Sequence, residues 1–358
     1  MSDASLALLE SLTQADAVPG HEDEVRALFR EHLAPCGTIE SDRMGNVFCT
    51  RSGPAGAPRV LVESHMDEVG FLVQHVTATG FVKFVALGGW WTHTLLAQRV
   101  RIATPKGKVT GVVGSTPPHF LAADKRDKVL AIEDLFIDIG ATDRDHAMHV
   151  LGVTPGCPIA PVSPWTPLGR PGLYASKAFD NRVGVALVIE TLQHSASLNP
   201  PNTVIGAACV QEEVGLRGAH TIAHSTEPDV AIVLEGPPAD DTPGFDLDSS
   251  QGKIGGGPQV RLYDPTMIAN PRLAQLVLDT AEEHGIPHQV AVRRSGGTDA
   301  GAIHKTRHGI PSIVIGVPVR YIHSHVSIVH IEDYLAALEL VTRLIGRLDA
   351  EAVEGLTS

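Results

Sequence analysis

Residues Asn202–Ala219 read NTVIGAACVQEEVGLRGA. Val204–Val210 is a short apolar run with β-branched residues and no helical spacing, which predicts a strand covered on both faces. Two adjacent carboxylates, Glu212 and Glu213, follow at once. Gly215 then marks a turn, and a helix is expected over Gly218–His224. A strand that delivers acids to its carboxyl end and turns into a helix is a unit of an α/β sheet. The ligand crevice of such a sheet lies outside those strand ends.

The unit recurs. VLVESHMDEVG runs a strand, Arg59–Glu63, into His65 and Asp67. DVAIVLEGPPADD runs Val230–Leu234 into Glu235, and IPSIVIGVPVRYIHSH runs Ser312–Val317 through a short loop toward His323, with His325 and His330 nearby. KAFDNRVGVALVIE sets Asp180 just before a helix over Arg182–His194. Further helices are expected over Glu22–His32, Pro271–His284 and Glu332–Leu348, and at the N-terminus, where Leu6, Leu9 and Leu12 share one face. The fold class that follows is α/β, with a mixed, mostly parallel sheet covered by helices.

The middle of the chain differs. FLVQHV, GFVKFVAL, QRVRIAT, KGKVTGVVG and LFIDIG succeed one another between Gly- and Pro-containing turns, with little helical periodicity. They predict a small β-rich domain, 71–165, inserted into a discontinuous α/β domain, 1–70 and 166–358. The proline-rich stretch Pro155–Pro171 is expected to be the return linker.

Composition narrows the class. A chain of 358 residues, 43% hydrophobic and 19% charged, can bury a sizeable core. The formal charge of −13 argues against nucleic acid as a partner, which needs a basic surface. The longest apolar runs fall short of a membrane span, and the N-terminus has no signal-peptide pattern, so the expected location is cytoplasmic. Cys36, Cys49, Cys157 and Cys209 form no C-x-x-C pair, which speaks against a zinc ribbon, and Cys209 is expected in the core.

If the strands are parallel, their terminal residues converge. Imidazole and carboxylate together suit zinc, cobalt or manganese, and two histidines with three carboxylates can hold two ions when one carboxylate bridges. His65 and Asp67 are two apart and point the same way on an extended chain, so the Asp67 carboxylate is expected to accept from the second imidazole nitrogen. Of Glu212 and Glu213, one can face a metal and the other stay free, as a general base requires. Singly, each has an ordinary reading: Asp180 as a helix cap, the paired glutamates as surface charge. Jointly, at four strand ends, those readings are poor explanations.

At these residues the chain resembles the M42 family of metallopeptidases, which contains the tetrahedral dodecameric aminopeptidases. The resemblance runs through VPGHEDEVR (Val18–Arg26), SHMDEVGF (Ser64–Phe71), KAFDNRVG (Lys177–Gly184), QEEVGLRGA (Gln211–Ala219), GGTDAGAIH (Gly296–His304) and RYIHSH (Arg320–His325). It implies a zinc-aminopeptidase-like fold and two divalent ions per subunit, zinc or cobalt, with manganese an alternative. His65 and Glu235 would hold one ion, Glu213 and His323 the other, and Asp180 would bridge, with a cis peptide bond often found after such an aspartate. Glu212 would be the general base and Asp67 the orienting acid. The implied activity is removal of N-terminal residues from short peptides, and the implied assembly is a homo-oligomer, dimer to dodecamer, built through the β-rich insert. Two positions depart from the family's usual pattern. Glu235 stands where aspartate is common, and glutamate there is typical of carboxypeptidases and N-acyl amino acid deacylases, the alternative activity. His325 stands where proline is usual. A glycoside hydrolase using Glu212 and Glu213 is a more distant alternative, because its carboxylates must flank the bond at about 5 Å or more.

Overall fold

The computed structural model describes residues 2–123, 126, 128–246 and 248–357. Among these residues, nine strands form one sheet. Its order runs Thr38–Ser41, Val47–Arg51, Thr203–Cys209, Arg59–His65, Val230–Glu235, Ser312–Gly316, Gln259–Asp264 and Met267–Ile268, with Gln289–Val292 also paired to Gln259–Asp264. The four central strands, from Thr203–Cys209 to Ser312–Gly316, are mutually parallel. Outside them, Val47–Arg51 and Gln259–Asp264 pair antiparallel, so the sheet is mixed. Val60–Val62 and Val230–Leu234 are fully buried, which is why they read as continuous apolar runs.

Helices pack on the sheet with small residues at the tightest approach. The helix Phe179–Leu198 lies over the central strands. At Gly184 a Cβ would come within 2.2 Å of the Ser64 hydroxyl and 2.5 Å of the Leu234 carbonyl, so only glycine lets this helix start that close to the strand ends. On another helix, Pro271–Glu283, Asn270 caps the backbone N–H groups of Arg272 and Leu273, with Pro271 in the first turn. Val183, Leu187, Val204, Ile232 and Tyr334 belong to one continuous core around the sheet.

The middle segment closes a barrel from Gly70–Val76, Val82–Leu87, Phe136–Asp138, Gly107–Gly114, Arg99–Thr104 and Pro158–Pro161. Its core, with Phe71, Val100, Ile102, Ile137 and Ile159, is separate from that of the sheet. The linker expected over Pro155–Pro171 is therefore structured in part. Pro158–Pro161 is a barrel strand whose register sets Ile159 opposite both Phe71 and Ile102. The reason is that Pro158 and Pro161 occupy the strand's two ends, which leaves Ile159 and Ala160 to supply the N–H donors.

Thr166–Pro167, Leu173–Ser176 and Ser327–His330 form a further three-stranded sheet. Its register pairs Ser176 with Ser327, which ties the segment leading into Asp180 to the segment following His323. No described helix is long and apolar enough to cross a membrane.

Candidate active site

The parallel register brings the terminal residues together. Cys209 lies opposite His65, and Glu235 opposite Gly316. Beyond these ends the backbone leaves regular geometry. Gln211, Leu216, Tyr321 and His323 have φ of 58°, 56°, 61° and 56°, a left-handed region that non-glycine residues enter mainly where the surroundings force them. The Asp180–Asn181 peptide bond is cis.

One carboxylate stands at the centre. Asp180 presents Oδ1 to His65 Nε2 at 3.4 Å and Oδ2 to His323 Nε2 at 3.4 Å. Around it are two triads, His65–Asp180–Glu235 and Asp180–Glu213–His323, each with candidate ligand atoms within 4.8 Å of one another. Glu235 Oε2 is 3.8 Å from His65 Nε2, and Glu213 Oε2 is 3.4 Å from His323 Nε2. Asn181 Nδ2 donates to Glu235 Oε2 at 2.9 Å, and also to the Leu234 carbonyl, which fixes the carboxylate at its strand end. All five residues read from the sequence as ligands thus meet in one place. Glu212 lies beside them, with Oε2 3.8 Å from His65 Nε2.

Asp67 does more, and differently, than the spacing implied. Its backbone carbonyl makes the 3.1 Å contact with His65 Nδ1, whereas the carboxylate oxygen is 3.5 Å away. The carboxylate accepts the backbone N–H groups of Glu212 and Glu213, each at 3.0 Å. It therefore holds the loop that carries both glutamates.

The electrostatics are those of crowded, dehydrated acids. Burial pushes the Glu212, Glu213 and Glu235 carboxyls well above their usual range, with neighbouring carboxylates adding to the shift and His65 opposing it. Asp180 is equally buried, yet His323 and His65 outweigh the burial and hold it low. The imidazoles of His65 and His323 are raised despite burial, because carboxylates surround them. A cluster in which carboxylates outnumber imidazoles at such short range suits a positively charged occupant.

Other residues of the site gave little signal in the sequence. Arg261 and Arg293 line the same cavity, of about 420 Å³, with Thr266, Gly296 and Thr298. Lone arginines in or just after strands carry no pattern, although GGTDAGAIH lies in the same neighbourhood. Beneath His65, Glu63, Cys209 and Asp299 form a third buried group. Burial raises both of its carboxyls, Glu63 to about 7 with Glu235 adding and a hydrogen bond to Asp299 opposing, and Asp299 well above its usual range with the Glu63 charge adding. Cys209 is fully buried, as expected of a core thiol.

Fold and site together place the chain among the peptidases. More narrowly, it belongs to the M42 glutamyl aminopeptidase family, which it matches over residues 45–340. It is 37% identical to the glutamyl aminopeptidase of Lactococcus lactis subsp. cremoris, over 96% of this chain and 97% of that one. The TET aminopeptidase of the marine sediment archaeon Thaumarchaeota archaeon SCGC AB-539-E09 superposes with a TM-score of 0.95 at 43% identity, covering 99% of both chains. The TET1 peptidase of Pyrococcus horikoshii, described as assembling into a tetrahedron or a large octahedral shell, superposes at 0.84 with 30% identity, covering 95% of this chain and 98% of that one.

Proposed function

We propose that this peptidase is a dinuclear metal-dependent aminopeptidase that removes single residues from the N-termini of short peptides. The observation that carries this reading is the two-sided contact of Asp180 with His65 and His323, which is how a bridging carboxylate is disposed. The donor set fits the group: His65 and Glu235 on one side, Glu213 and His323 on the other, all nitrogen or oxygen atoms suited to zinc, cobalt or manganese. Ions held by these residues would supply Lewis-acid chemistry, polarising a scissile carbonyl and acidifying a water.

The chain's own residues supply the rest. Glu212 sits beside the cluster, has a raised pKa, and can take a proton from water and return it to the leaving amine. Asp67 holds the Glu212–Glu213 backbone so that one carboxylate faces His65 and the other faces His323. The free α-amine of the substrate would be recognised by carboxylates of the same cluster, which restricts cleavage to the first bond. Arg261 and Arg293 are paired with Asp264 at 3.4 Å and Asp240 at 2.7 Å, and the Nε of each, buried without a partner, is the donor that would favour an acidic first side chain. The name of the Lactococcus relative agrees with that preference.

The family match weighs against the deacylase and glycoside hydrolase alternatives, and Glu212 and Glu213 converge on histidines rather than flanking a sugar-sized gap. Self-association through the barrel in the cytoplasm is part of the proposal, by likeness to the shell-forming Pyrococcus enzyme. The test of the activity is hydrolysis of one short peptide, N-terminus free or acetylated, by metal-stripped and metal-restored protein. Metal-dependent release of the first residue from the free peptide alone supports the reading. Cleavage of only the acetylated form would transfer the chain to the deacylases and make Glu235 the telling residue.

A further inference from the structure

The cavity holding the acids and histidines is continuous with a second one. Gly89, Ile322 and His323 line both. The second cavity, of about 670 Å³, is walled by Trp90, Trp91, Tyr321 and His325. The two differ in chemistry. Asp180, Glu212, Glu213 and Glu235 line the first, with Arg261 and Thr298 buried in its wall and Ser295–Gly297 exposed at its rim. Among the described residues no carboxylate lines the second, which meets solvent at Trp91 and Tyr321, 64% and 54% exposed. An enzyme that takes one residue at a time can use that difference, with the α-amine and first side chain among the acids and the rest of the peptide leaving through the open second cavity.

The chemistry of the open side is aromatic and uncharged. Trp90 is fixed in place, stacked on Phe71 at 4.7 Å and donating Nε1–H to the Gly70 carbonyl at 3.1 Å. The His325 ring packs 5.4 Å from it at an angle of 56°. His325 is 2% exposed, and neither ring nitrogen reaches a hydrogen-bond partner; the nearby Arg99 backbone does not complete the geometry. Trp91 stacks edge-on with His93 at 4.6 Å and leaves most of its surface to solvent. Flat apolar rings arranged around an open cavity bind another flat ring, by area and by offset or edge contacts.

We infer that the Trp90–Trp91–Tyr321–His325 cavity is the subsite for the second residue of the peptide, and that it selects an aromatic side chain there. The inference rests on the aminopeptidase reading, which assigns the acid-lined first cavity to the first residue. His325 and Trp91 are specificity residues, acting on the leaving part of the substrate rather than on the bond.

The experiment is a set of dipeptides that share the best first residue and carry Ala, Phe, Trp, Glu or Lys second, assayed as kcat/KM with metal-loaded enzyme. Phe and Trp are expected to exceed Ala by about tenfold, with Glu and Lys below Ala. In Trp91→Ala and in His325→Ala the Phe-to-Ala ratio should fall at least threefold, while the ranking of first residues, measured with Ala second, keeps its order. A wild-type ratio near one overturns the subsite without needing any variant to fold. So does an equal loss on Phe and Ala dipeptides in both variants. Absence of turnover on every dipeptide sinks the aminopeptidase reading itself, which distinguishes the two failures.

Discussion

The Asp67 carboxylate accepts the backbone N–H of Glu212 at 3.0 Å, and its other oxygen accepts that of Glu213 at the same distance. One side chain at the end of Arg59–His65 thus sets the position of two acids that follow Thr203–Cys209. Asparagine in its place keeps one acceptor and turns an amide toward the other N–H. Asp67→Asn should lower kcat by about a hundredfold through misplacement of Glu212, because small displacements at a reacting centre are that costly. Steady-state kinetics with metal analysis on the same sample checks it. Loss of metal in proportion to loss of rate would give Asp67 a ligand-supporting role instead.

Glu212 should separate rate from metal content. Glu212→Gln keeps size and hydrogen bonding but cannot accept a proton. A fall in kcat of about 10²–10⁴ is expected, with metal stoichiometry unchanged. Elemental analysis decides the matter: a variant that has lost an ion shows Glu212 to be a ligand and removes its role as base.

Metal binding should be strongly pH-dependent, and its sign follows from the histidines. In the metal-free protein, surrounding carboxylates raise His65 and His323 above their ordinary values. Their charged pairing therefore stabilises the metal-free fold fully below the unfolded imidazole pKa, and that contribution is lost as pH rises through the raised values. A metal needs neutral imidazoles, so affinity should rise with pH over the same window, and binding should release protons. Zinc titrations by calorimetry in two buffers of different ionisation enthalpy count those protons. Identical heats in both buffers would contradict the assignment of His65 and His323 as ligands.

Much of this arrangement is legible in the sequence, for a physical reason. Strands buried on both faces are mostly apolar, so the polar residues that close each run, with His65, Glu212 and Glu235 among them, mark where a strand reaches its carboxyl end. Because the central strands are parallel, those marks fall on one edge. What spacing does not encode is contact between loops. The pairing of Ser176 with Ser327, which draws Asp180 and His323 together, joins two segments with no shared pattern. Arg261 and Arg293 are likewise single residues whose meaning comes only from the cavity they share. Pro158–Pro161 misleads because prolines ordinarily signal loops, while here the two residues between them complete a barrel. The Asp67 carboxylate, expected at the imidazole, lies 3.5 Å from it and also accepts two backbone donors from a distant loop, which spacing does not encode.

The last expectation concerns stability beneath the site. Glu68, 1% exposed, receives Lys177 Nζ at 2.6 Å and Arg182 Nη2 at 3.2 Å on one oxygen, which also accepts the Ala17 N–H at 3.2 Å. Lys177 and Arg182 are themselves fully buried and flank Asp180 in sequence. Arg182 further donates to the carbonyls of Leu12, Ala15, Ala17 and Met66, so the cluster fastens the N-terminal segment to the floor of the site. Removing the carboxylate leaves two cations in a dry environment with Asp16 as the remaining counter-charge on Lys177. Glu68→Ala should therefore destabilise the fold by about 3–5 kcal/mol, the range for breaking a buried pair from one side. Glu68→Gln, which keeps the acceptor but loses the charge, should fall between the two. Denaturant unfolding of metal-stripped wild type and both variants measures it without interference from ligand binding. A Glu68→Ala midpoint equal to that of wild type would mean that Asp16 and the carbonyls suffice for both cations, and that Glu68 contributes position rather than stability.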